Sequence, residues 1–205
     1  MKIKSINIGD ITEYEFKPGK KQLTGFFKKP IDSDTIQVNM SGLEGDMRAV
    51  RKLIKWAAVS AFPEENHDFW MRQLIKHGVD HGRKTFEYGF FSENLSISGL
   101  SDDEIYGGDK IKIGEAVLEV TVPRIPCFKF GAVMGYKGAI LDMLTYSKSG
   151  FYMEVLSPGI ISTHDEISII PGPRTMSIAD VAKERLTTKL EMPPFQGKYF
   201  HEINN

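Results

Sequence analysis

The sequence predicts a mainly β protein with peripheral helices, an α+β fold built on a barrel or a sandwich. Short runs of alternating polar and apolar residues dominate the 205-residue chain and are broken by Gly, Pro, Asn and Asp. Only three stretches carry helical periodicity, and no strand–helix alternation of the parallel α/β kind emerges. With 41% hydrophobic and 26% charged residues, the chain has the make-up of an ordinary globular protein able to bury a full core.

In chain order, strands are expected at 2–7 (KIKSIN), 35–39 (TIQVN) and 55–61 (KWAAVSA). A helix follows at 63–76, with Pro63 in its first turn, Glu64 and Glu65 acidic at its start, Trp70 and Leu74 one turn apart, and Gly78 just beyond it. Residues 110–113 (KIKI) and 116–122 (AVLEVTV) form two strands joined at Gly114-Glu115 as a hairpin. Ala116, Leu118, Val120 and Val122 share one face of the second strand, with Glu119 and Thr121 on the other. A helix over 139–146 gathers Ile140, Leu141 and Leu144 on one side, and a strand follows at 166–170. Ser177 with Asp180 forms a capping-box start to a helix over 178–190, whose stripe is Ile178, Val181, Ala182, Leu186 and Leu190. Residues 1–175 are expected to form the β domain, and 176–205 a C-terminal helix and a proline-interrupted tail that drapes over the surface or frays.

Net charge is −1, which argues against nucleic-acid binding by bulk charge. No apolar run is long enough to span a bilayer, and the N-terminal stretch lacks the apolar core of a signal peptide. One cysteine permits no internal disulfide, so the expected compartment is the cytoplasm.

That cysteine, Cys127, ends TVPRIPC (121–127). A lone cysteine is ordinarily a small buried hydrophobe. Here Pro123 and Pro126 lack amide donors, so the chain between them leaves the sheet at a rim and brings the thiol towards solvent. Arg124 and Lys129 are close in sequence and favour the thiolate, which serves as nucleophile or as soft metal ligand. Glu93 and Asn94, in FSENLSISGL (91–100) beside a strand-like stretch, would orient a polar ligand or cap a turn. The basic run Arg48, Arg51, Lys52 and Lys55 follows the glycine turn SGLEGD (41–46), and is either a solvated face or a phosphate site. His77 and His81 have i, i+4 spacing but no third ligand nearby, so they read as surface residues. Asp102 and Asp103 read as a solvated turn. No Walker loop, GxGxxG, GxSxG, CxxC or HExxH motif occurs.

Taken together, several stretches resemble the MOSC domain family, named for the C-terminal domain of molybdenum cofactor sulfurase, and within it the stand-alone bacterial YiiM-like type. KKQLTGFFKKPI (20–31) is similar to the family's K-x-x-x-T-G-I-F-K-x-P-V, and SGLEGD to its G-L-E-G-D turn. Residues 91–130 follow its G-E-N-L … G-D … P-R-x-P-C-x-K pattern. SGFYMEVLSPGIISTHDEISII (149–170) resembles its S-G-x-Y-x-x-V-L … G-D-E segment, and PRTMSIADV the passage after it. One departure stands out: where the family carries H-G-G-x-x-K-A-V, this chain reads VRKLIKWAAV, with Lys52, Leu53 and Ile54 in place of the histidine and glycines.

The resemblance implies a β-barrel with peripheral helices and a thiol used with molybdenum cofactor (molybdopterin). It places the reactive cysteine, the molybdenum ligand, at Cys127, and cofactor-binding residues at Arg124, Lys129, Glu93 and Asn94, to which the basic run adds Arg51 and Lys52. The activity implied is reduction of N-hydroxylated small molecules such as hydroxylaminopurine analogues, which calls for an electron-donor protein as partner. Two rival readings are a non-catalytic carrier of cofactor or sulfur, and a degenerate binding domain with a buried cysteine.

Overall fold

The computed structural model describes residues 1–47, 54–80, 82 and 84–187. Among them, β1 (Lys2–Ile8), the hairpin β2 (Thr12–Lys17) and β3 (Lys20–Thr24), β4 (Lys29–Pro30), β5 (Thr35–Asn39) and β6 (Gly42–Leu43) form the first third. A 3₁₀ turn at Lys55–Ala57 leads into β7 (Val59–Pro63), α1 (Asn66–Lys76) and β8 (Leu95–Ser98). Then come β9 (Lys110–Ile113), β10 (Ala116–Pro123), α2 (Phe128–Met134), α3 (Ala139–Tyr146), β11 (Phe151–Ser157), β12 (Gly159–Ser162), β13 (Ile167–Ile170) and α4 (Ile178–Thr187).

Eight strands make one sheet in the order β13-β9-β10-β11-β7-β8-β1-β4. Every pairing is antiparallel except β7 with β8, which α1 connects as a crossover. The sheet curls so far that Lys2 of β1 bridges Glu166 beside β13, giving a half-barrel. The Gly114-Glu115 hairpin is present, pairing Ala116 with Ile113, and Gly114 takes the positive φ of 51° that the tight turn requires. Alternation holds as far as Val120: Ile111, Ile113, Ala116, Leu118 and Val120 are buried in the half-barrel while Lys110 and Lys112 are exposed, but beyond it, where the register with β11 shifts, Thr121 is buried too and Val122 packs instead against Tyr152.

Two clusters fill the interior. Aliphatic side chains such as Ile6, Val59, Leu95, Leu118, Val155 and Ile178 fill the half-barrel. Aromatic side chains, Phe62, Trp70, Phe86, Phe91 and Phe130, pack with Leu74 and Met134 under the helices.

Several expected boundaries move. Residues 55–57 are a 3₁₀ turn rather than strand, and the strand runs on to Pro63, so that proline closes β7 instead of opening the helix. The helix begins at Asn66, and Glu65 before it makes no capping hydrogen bond, its carboxylate accepting instead from Gly99 N at 2.5 Å. In α3 the buried side chains are Ala139 and Met143, while Ile140 and Leu141 face solvent. The capping box is present: Ser177 Oγ donates to Asp180 Oδ2 at 2.7 Å, and Asp180 N donates to Ser177 Oγ at 3.1 Å. Residues 188–190 of the expected helix and the tail lie outside the described residues. Among the described residues, no helix is long and apolar enough to cross a membrane.

Candidate functional site

Strand β10 carries the chemistry to the rim. Its pairing with β11 slips between Val120 and Pro123, a bulge that re-aims the strand end. Beyond it Arg124 N donates to Gly150 O at 3.0 Å, and the chain then leaves the sheet, as the two prolines require. Cys127 sits at the N-terminal cap of α2 and is exposed.

The thiol stands at a cleft of about 800 Å³. Ile54, Ala57 and Tyr152 line one part of it, and Phe26, Phe91, Phe128 and Phe130 another. Arg124, Lys129, Asn94 and Asp46 supply its ionic and amide groups. The β2–β3 hairpin leans over α2, with Phe16 and Phe128 edge-to-face at 5.9 Å, and Lys129 Nζ 5.6 Å from the Phe16 ring centre.

Each polar group has a determinate setting. Lys129 Nζ donates to Thr24 Oγ1 at 2.9 Å. Arg124 is almost wholly buried; one Nη2 proton goes to Phe91 O, and Nε and Nη1 have no partner among the described residues. Asn94 is locked from both sides: its Oδ1 accepts from Ser60 N and Ser60 Oγ, each at 3.1 Å, and its Nδ2 donates to Asp46 and to Asn7 O. Asp46 in turn forms a buried ion pair with Lys28. Ser92, in the cleft lining, holds a φ of 64°, a conformation non-glycine residues seldom adopt.

Of the expected site residues, Cys127, Arg124, Lys129 and Asn94 converge on this cleft. Glu93 does not line it. Its side chain turns inward with no exposed surface; Oε1 accepts from Gly89 N and Ser96 Oγ, both at 2.7 Å, and burial pushes its carboxyl up from the ordinary range. Arg48, Arg51 and Lys52 lie outside the described residues, and Lys55 is exposed on the 3₁₀ turn. Ile54, at the end of the segment that departs from the family pattern, is part of the cleft wall.

Asp102 is not in a solvated turn. It is fully buried, accepting from Asn66 Nδ2 at 2.7 Å and from Gly150 N at 2.8 Å, and burial raises its carboxyl pKa. Since Gly150 O holds Arg124 N, Asp102 steadies the backbone on which the arginine sits. Asp103 is exposed, as expected. His77 stacks on Tyr136 with centroids 4.2 Å apart and Nε2 3.6 Å from Asp142; His81 lies outside the described residues. Lys28, Asp46, Thr24 and Tyr152 were not singled out as site residues, although the first three lie in or beside TGFFKKP and SGLEGD. Their type and spacing in isolation signal nothing; only the folded contacts pair Lys28 with Asp46.

Among the described residues no group of three or more His, Cys, Asp or Glu could hold a metal alone. The donor set suits the cofactor that the resemblance implies: a soft, exposed sulfur beside unpartnered guanidinium protons and an ammonium.

Comparison with known proteins agrees with this architecture. The MOSC domain pattern matches residues 50–168. The chain is 30% identical over 170 residues to the uncharacterized protein YflK of Bacillus subtilis, covering 81% of this chain and 72% of that one. Over 89 residues it is 35% identical to a reductase of Gibberella moniliformis, 43% of this chain but 16% of the other. The crystal structure of YiiM from Geobacillus stearothermophilus superposes with a TM-score of 0.68 at 27% identity, covering 88% of this chain and 81% of that one. The rim cysteine, the barrel that carries it and these likenesses together make the chain a member of the MOSC domain family, of the stand-alone YiiM-like type.

Proposed function

We propose that this protein binds molybdenum cofactor at the Cys127 cleft and reduces N-hydroxylated small molecules in the cytoplasm. The observation that carries the reading is the exposed Cys127 thiol in one cleft with Arg124, whose Nε and Nη1 protons are buried without a partner. Cys127 is the protein's thiolate ligand to molybdenum. Arg124 and Lys129 would hold the anionic part of the cofactor, Asn94, whose amide is taken up by Ser60, Asp46 and Asn7, would fix the wall against which it lies, and Glu93 would act from behind that wall. Arg51 and Lys52 add positive charge from the neighbouring segment. When bound, the cofactor supplies two-electron redox chemistry at the metal. The overall reaction turns an N–OH group into N–H: the N–O bond breaks, two electrons come from an electron-donor protein, and of two protons taken up one goes to the nitrogen and one to the hydroxyl oxygen, which leaves as water. The aromatic side chains along the cleft give a planar substrate a surface to stack on. The fungal relative named a reductase supports redox chemistry in this family.

Replacing Cys127 by Ser tests the reading. Serine keeps the size of the side chain, and at an exposed position the change should cost about 1 kcal/mol or less. A hard, un-ionised hydroxyl cannot stand in for a soft thiolate. Protein from a cofactor-producing host should carry molybdenum as wild type and lose it, with any reductase activity, as Cys127→Ser. Molybdenum retained in the variant would overturn the assignment.

A further inference from the structure

We propose that Glu93 is a positioning residue that stays uncharged, and that by staying uncharged it leaves the Arg124 charge available to an oxyanion in the cleft. The inference rests on the reading of Arg124 as the group that holds an anion, and is independent of which metal, if any, the cleft carries.

The argument begins with charge in the cleft. Its ionic side chains among the described residues are Asp46, Arg124 and Lys129. Asp46 is paired with Lys28, which cancels both. Neither Arg124 nor Lys129 has a carboxylate within ion-pair distance among the described residues; Lys129 donates to a hydroxyl, and Arg124 to a carbonyl. Two cations thus line one cavity without a paired carboxylate among the described residues, the arrangement an oxyanion such as a phosphate or sulfate group completes.

Glu93 is a carboxyl near enough to Arg124 to feel its charge, and it could have supplied that counter-charge. The geometry shows the opposite choice. The guanidinium gives its Nη2 proton to neutral Phe91 O, two residues away in the same loop, and leaves Nε and Nη1 unpartnered. Glu93 meanwhile takes Gly89 N and Ser96 Oγ on one oxygen and leaves Oε2 without a partner. Its other surroundings are neutral: Ser96 is tied to Asn7 Nδ2 of β1, and Asn7 to Ser5 Oγ. A buried carboxylate beside a buried guanidinium would close on it, because an unpaired charge in the interior is costly. The open geometry is that of a neutral acid beside a cation that awaits a partner from outside. Burial acts in the same direction on the Glu93 carboxyl, and outweighs the pull of Arg124.

The test uses inorganic sulfate, which keeps its charge across neutral pH, on protein from a cofactor-deficient host, with titration calorimetry at constant ionic strength. Glu93→Gln keeps the acceptor for Gly89 and Ser96 and is permanently neutral. It should bind sulfate within about twofold of wild type, whereas Arg124→Gln should weaken binding about tenfold or more. In the infrared, folded wild type should show a protonated-carboxyl C=O band that Glu93→Gln lacks. The proposal is overturned if Glu93→Gln binds sulfate about tenfold more tightly, the mark of a removed negative charge, or if Arg124→Gln binds as wild type does. Should Glu93→Gln fail to fold, the infrared spectrum of wild type with carboxyl-labelled glutamate decides, and absence of a protonated band that resists exchange overturns it. Because no arm contains molybdenum, a failure of the cofactor reading leaves these outcomes unaffected.

Discussion

The aliphatic interior of the half-barrel and the aromatic cluster under the helices solve different problems. Inside the half-barrel, Ile, Val and Leu side chains from strands meet across the curl, and strand pairing accounts for the backbone polar groups around them. The aromatic side keeps polar atoms in its walls. Asn66, His67 and Gln73 on α1, Glu93 after Phe91, and Arg124 over the Phe62 ring each leave a buried atom unpartnered. His67, enclosed by Phe62, Phe86 and Phe91, has its pKa lowered by that burial. Stability is expected to reside mainly in the first region, while the buried polar atoms without a partner among the described residues gather in the second, where the cleft opens.

The largest effect that sharpens this contrast is expected from Leu118→Ala in the half-barrel. The side chain is fully buried, and truncation should cost about 2–5 kcal/mol in urea unfolding, while maleimide labelling of Cys127 in the folded fraction keeps its rate. A loss below about 1 kcal/mol would mean the aliphatic core is not where stability resides.

A smaller effect concerns pH and belongs to the polar side. Burial raises the carboxyls of Glu93 and Asp102 above their unfolded values. Above the ordinary carboxylate range, about pH 4, the folded chain then binds more protons than the unfolded one, so stability declines as pH rises towards the folded pKa values. The buried His67 acts in the opposite sense and equally in both proteins, so the carboxyls are read by difference: from pH 5 to pH 8 the melting temperature of wild type should fall relative to that of the double variant Glu93→Gln, Asp102→Asn. An equal slope in both proteins would sever the link between these carboxyls and stability.

The smallest effect lies outside both regions. Lys21 and Glu13 pair at 3.4 Å on the exposed β2–β3 hairpin, and Lys21→Ala should change stability by no more than about 0.5 kcal/mol. A larger change would show that the hairpin's surface charges, and not its aromatic contacts with α2, hold it over the cleft.

Alternation with period two was enough to place β9, β10 and their hairpin, because a strand with one buried face writes that face into every second residue. The two prolines around Arg124 were equally legible: Pro123, without an amide proton, ends β10 opposite Phe151, and with Pro126 following the chain leaves the sheet and carries the thiol with it. The capping box at Ser177 and Asp180 is likewise a local arrangement of four residues, complete before any packing. Short strands such as β4 and β6 left no such mark, since two residues carry no period and exist only because β1 and β5 lie alongside. The reach of α1 was misjudged at Pro63 for a related reason: a proline suits the first turn of a helix, and it also suits the last position of a strand, and pairing with β8 chose the strand.

The same division runs through the site. Local chemistry singled out Cys127, Arg124 and Lys129, since a thiol directly after two prolines, with one cation between them and another two residues beyond it, has few structural uses. It could not separate Glu93 from Asn94. They are neighbours in one motif, yet the backbone turns one side chain into the cleft lining and the other into the interior. Nor could it tell Asp102 from Asp103, of which one is sealed against Asn66 and Gly150 and the other is exposed. Adjacent residues in a turn diverge according to what the rest of the chain packs against them. That contact is long-range, Asp102 with Gly150 and Lys28 with Asp46, and only the closed tertiary structure supplies it.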